Sequence, residues 1–336
     1  MREGDSLDTI DRRLLDQIQR AFPIGERPYA VLGERLGLSE RDVLARIENL
    51  KALRLVRQIS AIFNTGALGY HSSLVAMAVP ESLVEQAAEA VSAYPGVSHN
   101  YLRPASFNLW FTIAVPPGRE LSAVVDQLAQ KAGGWPTLIL PAVKKYKLAV
   151  VLDVLEDSEG EAGSAEAPEA PLESTERFQV SERTVKLVRC LQEDLPLVPK
   201  PFHSWARSLG MNAEDLMGVI DRWLARSWIR RFAAVLNHRR VGFGANGMVV
   251  WRCAPSGIDA AGAALAAFPE VSHCYQRPAH PQWPYNLYAM VHGRSVSECQ
   301  KIAERLAQAV GLSEYRILFS TREFKKIRLK LFWDET

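Results

Sequence analysis

Apolar residues at Leu7, Ile10, Leu14, Ile18 and Phe22 recur every three or four positions, which puts them on one face of a helix. Pro28 suits the first turn of a second, short helix, where its missing amide costs nothing, and Gly37 suits that helix's left-handed end. Ser39 with Asp42 resembles a capping box and opens a third helix, apolar at Val43, Ile47, Leu50 and Leu53. Three helices with a tight Gly-Leu-Ser turn predict a helix-turn-helix. Strands and helices then alternate. Ser72–Val79 predicts a strand, Glu81–Tyr94 a helix, Gly96–Arg103 and Asn108–Val115 two strands, Arg119–Lys131 a helix, and Leu138–Val151 a last extended segment. The order β-α-β-β-α-β is that of a ferredoxin-like split unit.

The pattern then repeats. Val185–Leu191, Pro201–Leu209 and Asn212–Leu224 predict a second helix-turn-helix; Gly247–Ala254, Ile258–Phe268, Val271–Arg277, Asn286–His292, Val296–Val310 and Tyr315–Phe332 predict a second split unit. The residues repeat as well. Val97-Ser98-His99-Asn100-Tyr101-Leu102-Arg103-Pro104-Ala105 returns as Val271-Ser272-His273-Cys274-Tyr275-Gln276-Arg277-Pro278-Ala279, and Asn64, Gly69 and Tyr70 return as Asn237, Gly242 and Phe243. One unit has been duplicated and fused into a pseudo-dimer. The expected fold is α+β in two tandem units, each a winged or plain helix-turn-helix domain followed by a ferredoxin-like domain. This resembles the architecture of the Lrp/AsnC regulators. The expected boundaries are 1–60 and 61–154 for the first half, 155–176 for a linker, and 177–236 and 237–336 for the second half.

The linker is set apart by charge. Leu155 to Glu176 carries eight acids and neither lysine nor arginine, so the folded halves stand near +10 although the 336-residue chain totals +2. Alanine, proline and acid without hydrophobic periodicity predict a disordered tether. The basic remainder favours an anionic partner, either nucleic acid or a small polycarboxylate. The N-terminus has no apolar signal segment, no run approaches a membrane span, and four cysteines without a C-x-x-C pair suit a reducing compartment. A cytoplasmic location without membrane attachment is expected.

Nucleic acid is disfavoured by the third helix of each half. Glu40, Arg41, Asp42, Arg46, Glu48 and Lys51 cancel, and Glu214, Asp215, Asp221 and Arg222 are net acidic. A recognition helix needs basic or amide side chains against phosphate and base edges. These helices are expected to be scaffold, and DNA binding is not expected.

The repeated strand carries the chemistry. Side chains alternate along a strand, so His99, Tyr101 and Arg103 share a face, as do His273, Tyr275 and Arg277. On the next strands Asn108, Trp110 and Thr112, and Asn286, Tyr288 and Met290, share that front, while Leu109, Phe111, Ile113 and Val115, and Leu287, Ala289 and Val291, face the helices. Two such fronts facing each other are expected to enclose a polar, aromatic cavity suited to a flat anion. The alternative is that duplication has merely repeated structural residues. The second half adds His280-Pro281-Gln282-Trp283-Pro284-Tyr285 where the first has Ser106-Phe107, which reads as a stacking loop or a packed hairpin tip. Lys144, Lys147, Arg322 and Lys325 end the halves, either as carboxylate clamps or as solvated edges that discourage aggregation.

Together the Val-Ser-His-x-Tyr-x-Arg-Pro strands, the Pro-x-Trp-Pro-Tyr-Asn-Leu-Tyr run at 281–288 and Thr321-Arg322-Glu323-Phe324-Lys325-Lys326 resemble the siroheme decarboxylases, over almost everything except the tether. The likeness is to the form in which D-type and L-type subunits are fused. It implies loss of carbon dioxide from two acetate side chains of siroheme, giving didecarboxysiroheme in haem biosynthesis, at a site between the similar units. The first half departs from the pattern by lacking the Trp-Pro-Tyr loop.

Such chemistry leaves electron density for the macrocycle to accept and a carbon to be protonated, so no organic cofactor is expected and iron enters only within the siroheme. His99 and His273 are the candidate proton donors, because imidazole titrates near neutrality; ligation of the siroheme iron is their alternative role. Arg103 and Arg277 are candidate carboxylate clamps, aided by Lys144, Lys147, Arg322 and Lys325. Tyr101, Tyr275, Trp283, Tyr285 and Asn286 are expected to line the substrate. Self-association or related decarboxylase subunits are the expected protein partners. A transcriptional regulator of the Lrp/AsnC type and a tetrapyrrole sensor are the competing readings.

Overall fold

The computed structural model describes residues 7–148, 177–236 and 245–333. The expected tether at 155–176 and the repeat of Asn64, Gly69 and Tyr70 at 237–243 lie outside them. The chain forms two compact units that cut across the duplication: one gathers 7–69, 177–236 and 331–333, the other 70–148 and 245–330. Among the described residues no helix is long and apolar enough to cross a membrane.

The first unit holds both helical domains. Helices α1 (Thr9–Arg20), α2 (Pro28–Leu36) and α3 (Glu40–Ala52) are followed by strand β1 (Val56–Phe63). Asp8 caps α1 and Ser39 caps α3, each accepting from a backbone amide, and Gly37 ends α2 in the left-handed region (φ 70°). The second half supplies α6 (Glu182–Leu191), α7 (Pro201–Ser208), α8 (Ala213–Ala225) and strand β7 (Ile229–Leu236), with Ser181 and Asn212 as caps. The hydrophobic pattern had given no strand at β1 or β7. Each is short and needs a partner, and they supply each other as an antiparallel ribbon. The halves are stitched further by Leu195 N–H to the Ile59 carbonyl and by Tyr29 Oη to the Pro196 carbonyl (3.0 Å).

The second unit holds two sheets. The first half contributes β2 (His71–Met77), α4 (Val84–Ser92), β3 (Val97–Leu102), β4 (Leu109–Val115), α5 (Leu121–Lys131), β5 (Thr137–Leu140) and β6 (Lys144–Leu148). The second contributes β8 (Ala245–Trp251), α9 (Ile258–Ala266), β9 (Val271–Gln276), β10 (Leu287–Gly293), α10 (Val296–Ala309), β11 (Tyr315–Phe319) and β12 (Arg322–Lys326). The sheet orders are β12-β3-β4-β2-β5 and β11-β8-β10-β9-β6.

This corrects one expectation. The last extended segment of each half is not one strand. It breaks at Pro141-Ala142-Val143 and at Ser320-Thr321, and the piece beyond the break leaves its own half to pair with the His-Tyr-Arg strand of the other: β6 on β9, β12 on β3. Proline at 141 has no amide to continue a ladder, which favours the break there.

The backs of both sheets are apolar as the alternation required. Leu109, Phe111, Ile113 and Val115 pack with Val84, Ala88, Val91, Val125 and Leu128; Leu287, Ala289 and Val291 pack with Leu265, Ile302, Ala303 and Leu306. Burying each large aliphatic or aromatic side chain contributes roughly 1.5–3 kcal/mol. The exchanged strands are fastened on this side. Tyr146 of β6 lies against α9 where Gly262 leaves no room for a side chain, and its hydroxyl donates to Asp259 (2.6 Å). Gly262→Ala would drive a methyl into the Tyr146 ring. We expect a loss of about 1–3 kcal/mol from this overpacking, seen as a lowered midpoint in thermal or urea unfolding, with Tyr146→Ala combined with Gly262→Ala recovering none of the ring's own packing.

Candidate functional site

The repeated motif folds into two matching rows. On β3, Asn100 and Leu102 turn to the helix side: Asn100 is fully buried and donates to the Ala88 carbonyl and Ser92 Oγ. His99, Tyr101 and Arg103 therefore occupy the front, with ring centroids of His99 and Tyr101 at 6.1 Å and the Arg103 guanidinium 5.5 Å from the Tyr101 centroid. On β9 the same spacing gives 6.2 Å between His273 and Tyr275 and 5.0 Å from Arg277 to Tyr275. Arg277 also sits 5.5 Å from the Tyr288 ring.

A shift of register brings a hydroxyl to each imidazole. In both strands the ladder slips by one residue before the histidine, between Val97 and His99 and between Val271 and His273, leaving Ser98 and Ser272 as the extra residues. A bulge of this kind re-aims side chains. Ser98 Oγ comes within 2.9 Å of His99 Nδ1 and of Thr112 Oγ1; Ser272 Oγ lies 2.8 Å from His273 Nδ1 and 2.7 Å from His292 Nε2. Strict alternation put Thr112 on the front, where it lies, but missed Ser98, Ser272 and His292. The Ser-His pair inside the repeat was the available signal for the serines. Nothing local marked His292, whose neighbour is set by pairing between β9 and β10.

Arg103 is buried and Arg277 half-buried. Arg103 is 5% exposed and donates Nη1 to the Leu318 carbonyl on the opposite sheet; Arg277 donates Nη1 to the Leu140 carbonyl in the reciprocal direction. Neither has a carboxylate partner among the described residues, and the Nε of each is buried without a hydrogen bond. Desolvation pushes the Arg103 guanidinium down to about 10 and lowers that of Arg277. Each row thus ends in a guanidinium with no carboxylate partner among the described residues.

Several of the residues expected to contact a ligand make structural contacts. The centre between the two fronts is not a polar cavity. Ala76, Trp110, Leu138, Leu140 and Phe107 pack there against Met248, Val250, Tyr288, Leu318, Trp283 and Tyr285. The second-half loop is therefore core: Trp283 is 1% exposed, packs edge-on to Trp110 (5.3 Å) and Tyr285 (4.9 Å), and donates Nε1 to Tyr288 Oη (2.9 Å). Buried indole needs an acceptor, and Tyr288 provides it. The Asn286 amide is used at both ends on the Cys253 backbone (2.9 and 2.8 Å), as Asn108 is on Val79.

The basic strand ends likewise turn to the helix side. Lys144 pairs with Asp259, Lys147 donates to the Phe268 carbonyl, Arg322 pairs with Glu85, and Lys325 donates to the Ser92 and Tyr94 carbonyls. Cations at helix C-termini and acids at N-termini complement the helix dipole, so these four residues hold the exchanged strands in place. Basic residues of helix α3 are likewise engaged within the helical unit. Arg46 is held by Asp8 and Asp11, and Lys51 by Asp194.

The fold defines a class first: tandem AsnC-like ligand-binding domains, matched by family model at 67–147 and 240–325, joined to segments matching the siroheme decarboxylase NirDL-like HTH domain at 11–57 and 185–230. The chain is 39% identical over 325 residues to a siroheme decarboxylase of Hydrogenobacter thermophilus, spanning 96% of this chain and 95% of that one. It superposes on the crystal structure of the siroheme decarboxylase NirDL with a TM-score of 0.78 at 35% identity, over 97% of this chain and 95% of that one. It also superposes on that enzyme in complex with an iron-uroporphyrin III analogue, with a TM-score of 0.77 at 34% identity over 96% and 94% of the two chains. The chain belongs to the siroheme decarboxylase family and is a carboxy-lyase.

The bracing part of Asn286 is open to measurement. Asn286→Ala strands a backbone amide and carbonyl of Cys253, and we expect a loss of about 1–3 kcal/mol in denaturant unfolding, with Asn108→Ala behaving alike.

Proposed function

We propose that the chain removes the carboxyl groups of two acetate side chains of siroheme, giving didecarboxysiroheme in haem biosynthesis, with no organic cofactor. The observation that carries this reading is the pair of desolvated guanidinium groups with no carboxylate partner among the described residues, each at the end of an imidazole–phenol row. A buried cation is costly unless something anionic completes it. A polycarboxylate completes two at once, and arginine takes a carboxylate through a planar fork. The relative crystallised with an iron-uroporphyrin III analogue supports a tetrapyrrole as that polycarboxylate.

The division of labour follows from the groups present. Arg103 and Arg277 hold carboxylates that are to be retained, and Tyr101 and Tyr275 lie beside them along the macrocycle. Loss of carbon dioxide leaves an electron pair on the methylene carbon, delocalised into the ring system of the substrate. His99 and His273 then deliver the proton that turns each methylene into a methyl group, the function for which an imidazole near neutrality is suited. Siroheme iron belongs to the substrate.

Anaerobic incubation of the purified chain with siroheme, followed by mass spectrometry of the extracted tetrapyrrole, tests the reaction: loss of two carbon dioxide units is expected, and unchanged siroheme would refute it. The clamp has its own signature. Arg277→Met removes a desolvated cation and fills its volume, so stability should change by less than about 1 kcal/mol or rise, while the dissociation constant for siroheme rises at least about tenfold. A strongly destabilised variant with unaltered siroheme affinity would make the arginine structural only.

A further inference from the structure

The two rows are alike except in what stands behind the imidazole. In the first, the Ser98 hydroxyl connects His99 to Thr112, and the residue in register one step further along β4 is Ala114. In the second, Ser272 connects His273 to a second imidazole, His292 on β10. The equivalence of Ala114 and His292 is fixed by pairing, since each amide donates to the residue before the valine of the motif, Gly96 or Glu270.

We propose that His292 is a positioning residue for the reaction: acting through Ser272, it sets the tautomer of His273 and passes a proton to its Nδ1 as its Nε2 protonates substrate. The inference rests on the siroheme decarboxylase reading above.

One hydroxyl hydrogen serves two ring nitrogens. Ser272 Oγ lies 2.8 Å from His273 Nδ1 and 2.7 Å from His292 Nε2, whereas its competing acceptor, the Met290 carbonyl, stands at 3.5 Å. The short contacts win, and one ring must then donate N–H to Oγ while the other accepts O–H. With His292 as donor, His273 accepts at Nδ1 and carries its own hydrogen on Nε2, the nitrogen from which a substrate carbon is protonated.

The step balances without any further reactant. The bond between the methylene and the carboxylate breaks, carbon dioxide leaves, and the electron pair remains on carbon. That carbon takes the proton of His273 Nε2 and becomes methyl. His273 Nδ1 takes the hydrogen of Ser272, and Ser272 takes one from His292 Nε2, His292 having entered with protons on both nitrogens. His292, half-buried near the end of β10, is left neutral, and His273 is left with its hydrogen on Nδ1. A proton from water then enters at His273 Nε2, and the Nδ1 hydrogen runs back through Ser272 to restore His292. The first row has Ala114 where this reservoir stands and only the Thr112 hydroxyl beside Ser98, so the two rows are unequal in proton supply.

His292→Ala and Ser272→Ala, each assayed anaerobically with siroheme beside the unaltered chain, test the relay by following the two carboxyl losses separately in the mass spectrum. We expect the singly decarboxylated species to accumulate in both variants, with kcat for one loss down at least about tenfold, within the range a general acid contributes, and KM within about twofold. The double variant should be no slower than either single one. Added imidazole should restore His292→Ala but not Ser272→Ala. Both losses at the unaltered rate in both variants would overturn the relay, as would slowing with a raised KM that imidazole leaves untouched. If the unaltered chain leaves siroheme unchanged, the underlying reading falls instead, and the two failures are told apart by that control.

Discussion

The second unit depends on an exchange of strands. Strands β3 and β9, which carry the two rows, each have one neighbour from their own half and one from the other. Without β12 and β6 they would be open edges, with unpaired backbone groups and freedom to twist or slip. A slip of one residue would turn every side chain of a row to the opposite face. The position of each histidine is therefore held by the half that does not encode it. Fusion into one chain makes that exchange intramolecular, at an effective concentration set by the connection rather than by the concentration of protein. The ion pairs and carbonyl contacts of Lys144, Lys147, Arg322 and Lys325 hold the exchanged strands against α9 and α4.

The two sheets are tied in a second way. Each arginine reaches from its own row to a carbonyl of the other sheet, Arg103 to Leu318 and Arg277 to Leu140, beside an apolar cluster built from both. A neutral carbonyl orients a guanidinium without neutralising it. The arrangement thus keeps two largely dehydrated guanidinium groups without a carboxylate partner among the described residues, a costly state that an anion would relieve. Rigid donors aimed in advance lose little on binding.

Duplication has not left the halves equivalent. The loop with Trp283 and Tyr285 fills the space between the sheets from one side only, opposite Phe107 and Trp110. His292 faces Ser272 where the first half offers Thr112 to Ser98. On the proposed reaction, a substrate losing two acetate carboxyls in succession would present different groups at each step, and two similar but unequal rows suit that better than strict symmetry.

Much of this was legible in the chain. Helical periodicity, the caps Ser39 and Asn212, Gly37 after α2, and the two-residue alternation on β3, β4, β9 and β10 are local properties, and local sterics and hydrogen bonding decide them. The repeat of His, Tyr and Arg at fixed spacing placed each row on one face for the same reason. What lay beyond reach depended on partners distant in sequence. The pairing of β6 with β9 and β12 with β3 put the terminal lysines on the helix side. Packing of the two sheets made Trp283 and Tyr285 core, buried Arg103 and half-buried Arg277. The register shift at Ser272 brought His292 to His273. Periodicity determines which face a residue takes; only the tertiary structure decides what that face meets, because backbone pairing between strands and the filling of space between sheets are set by the whole chain at once.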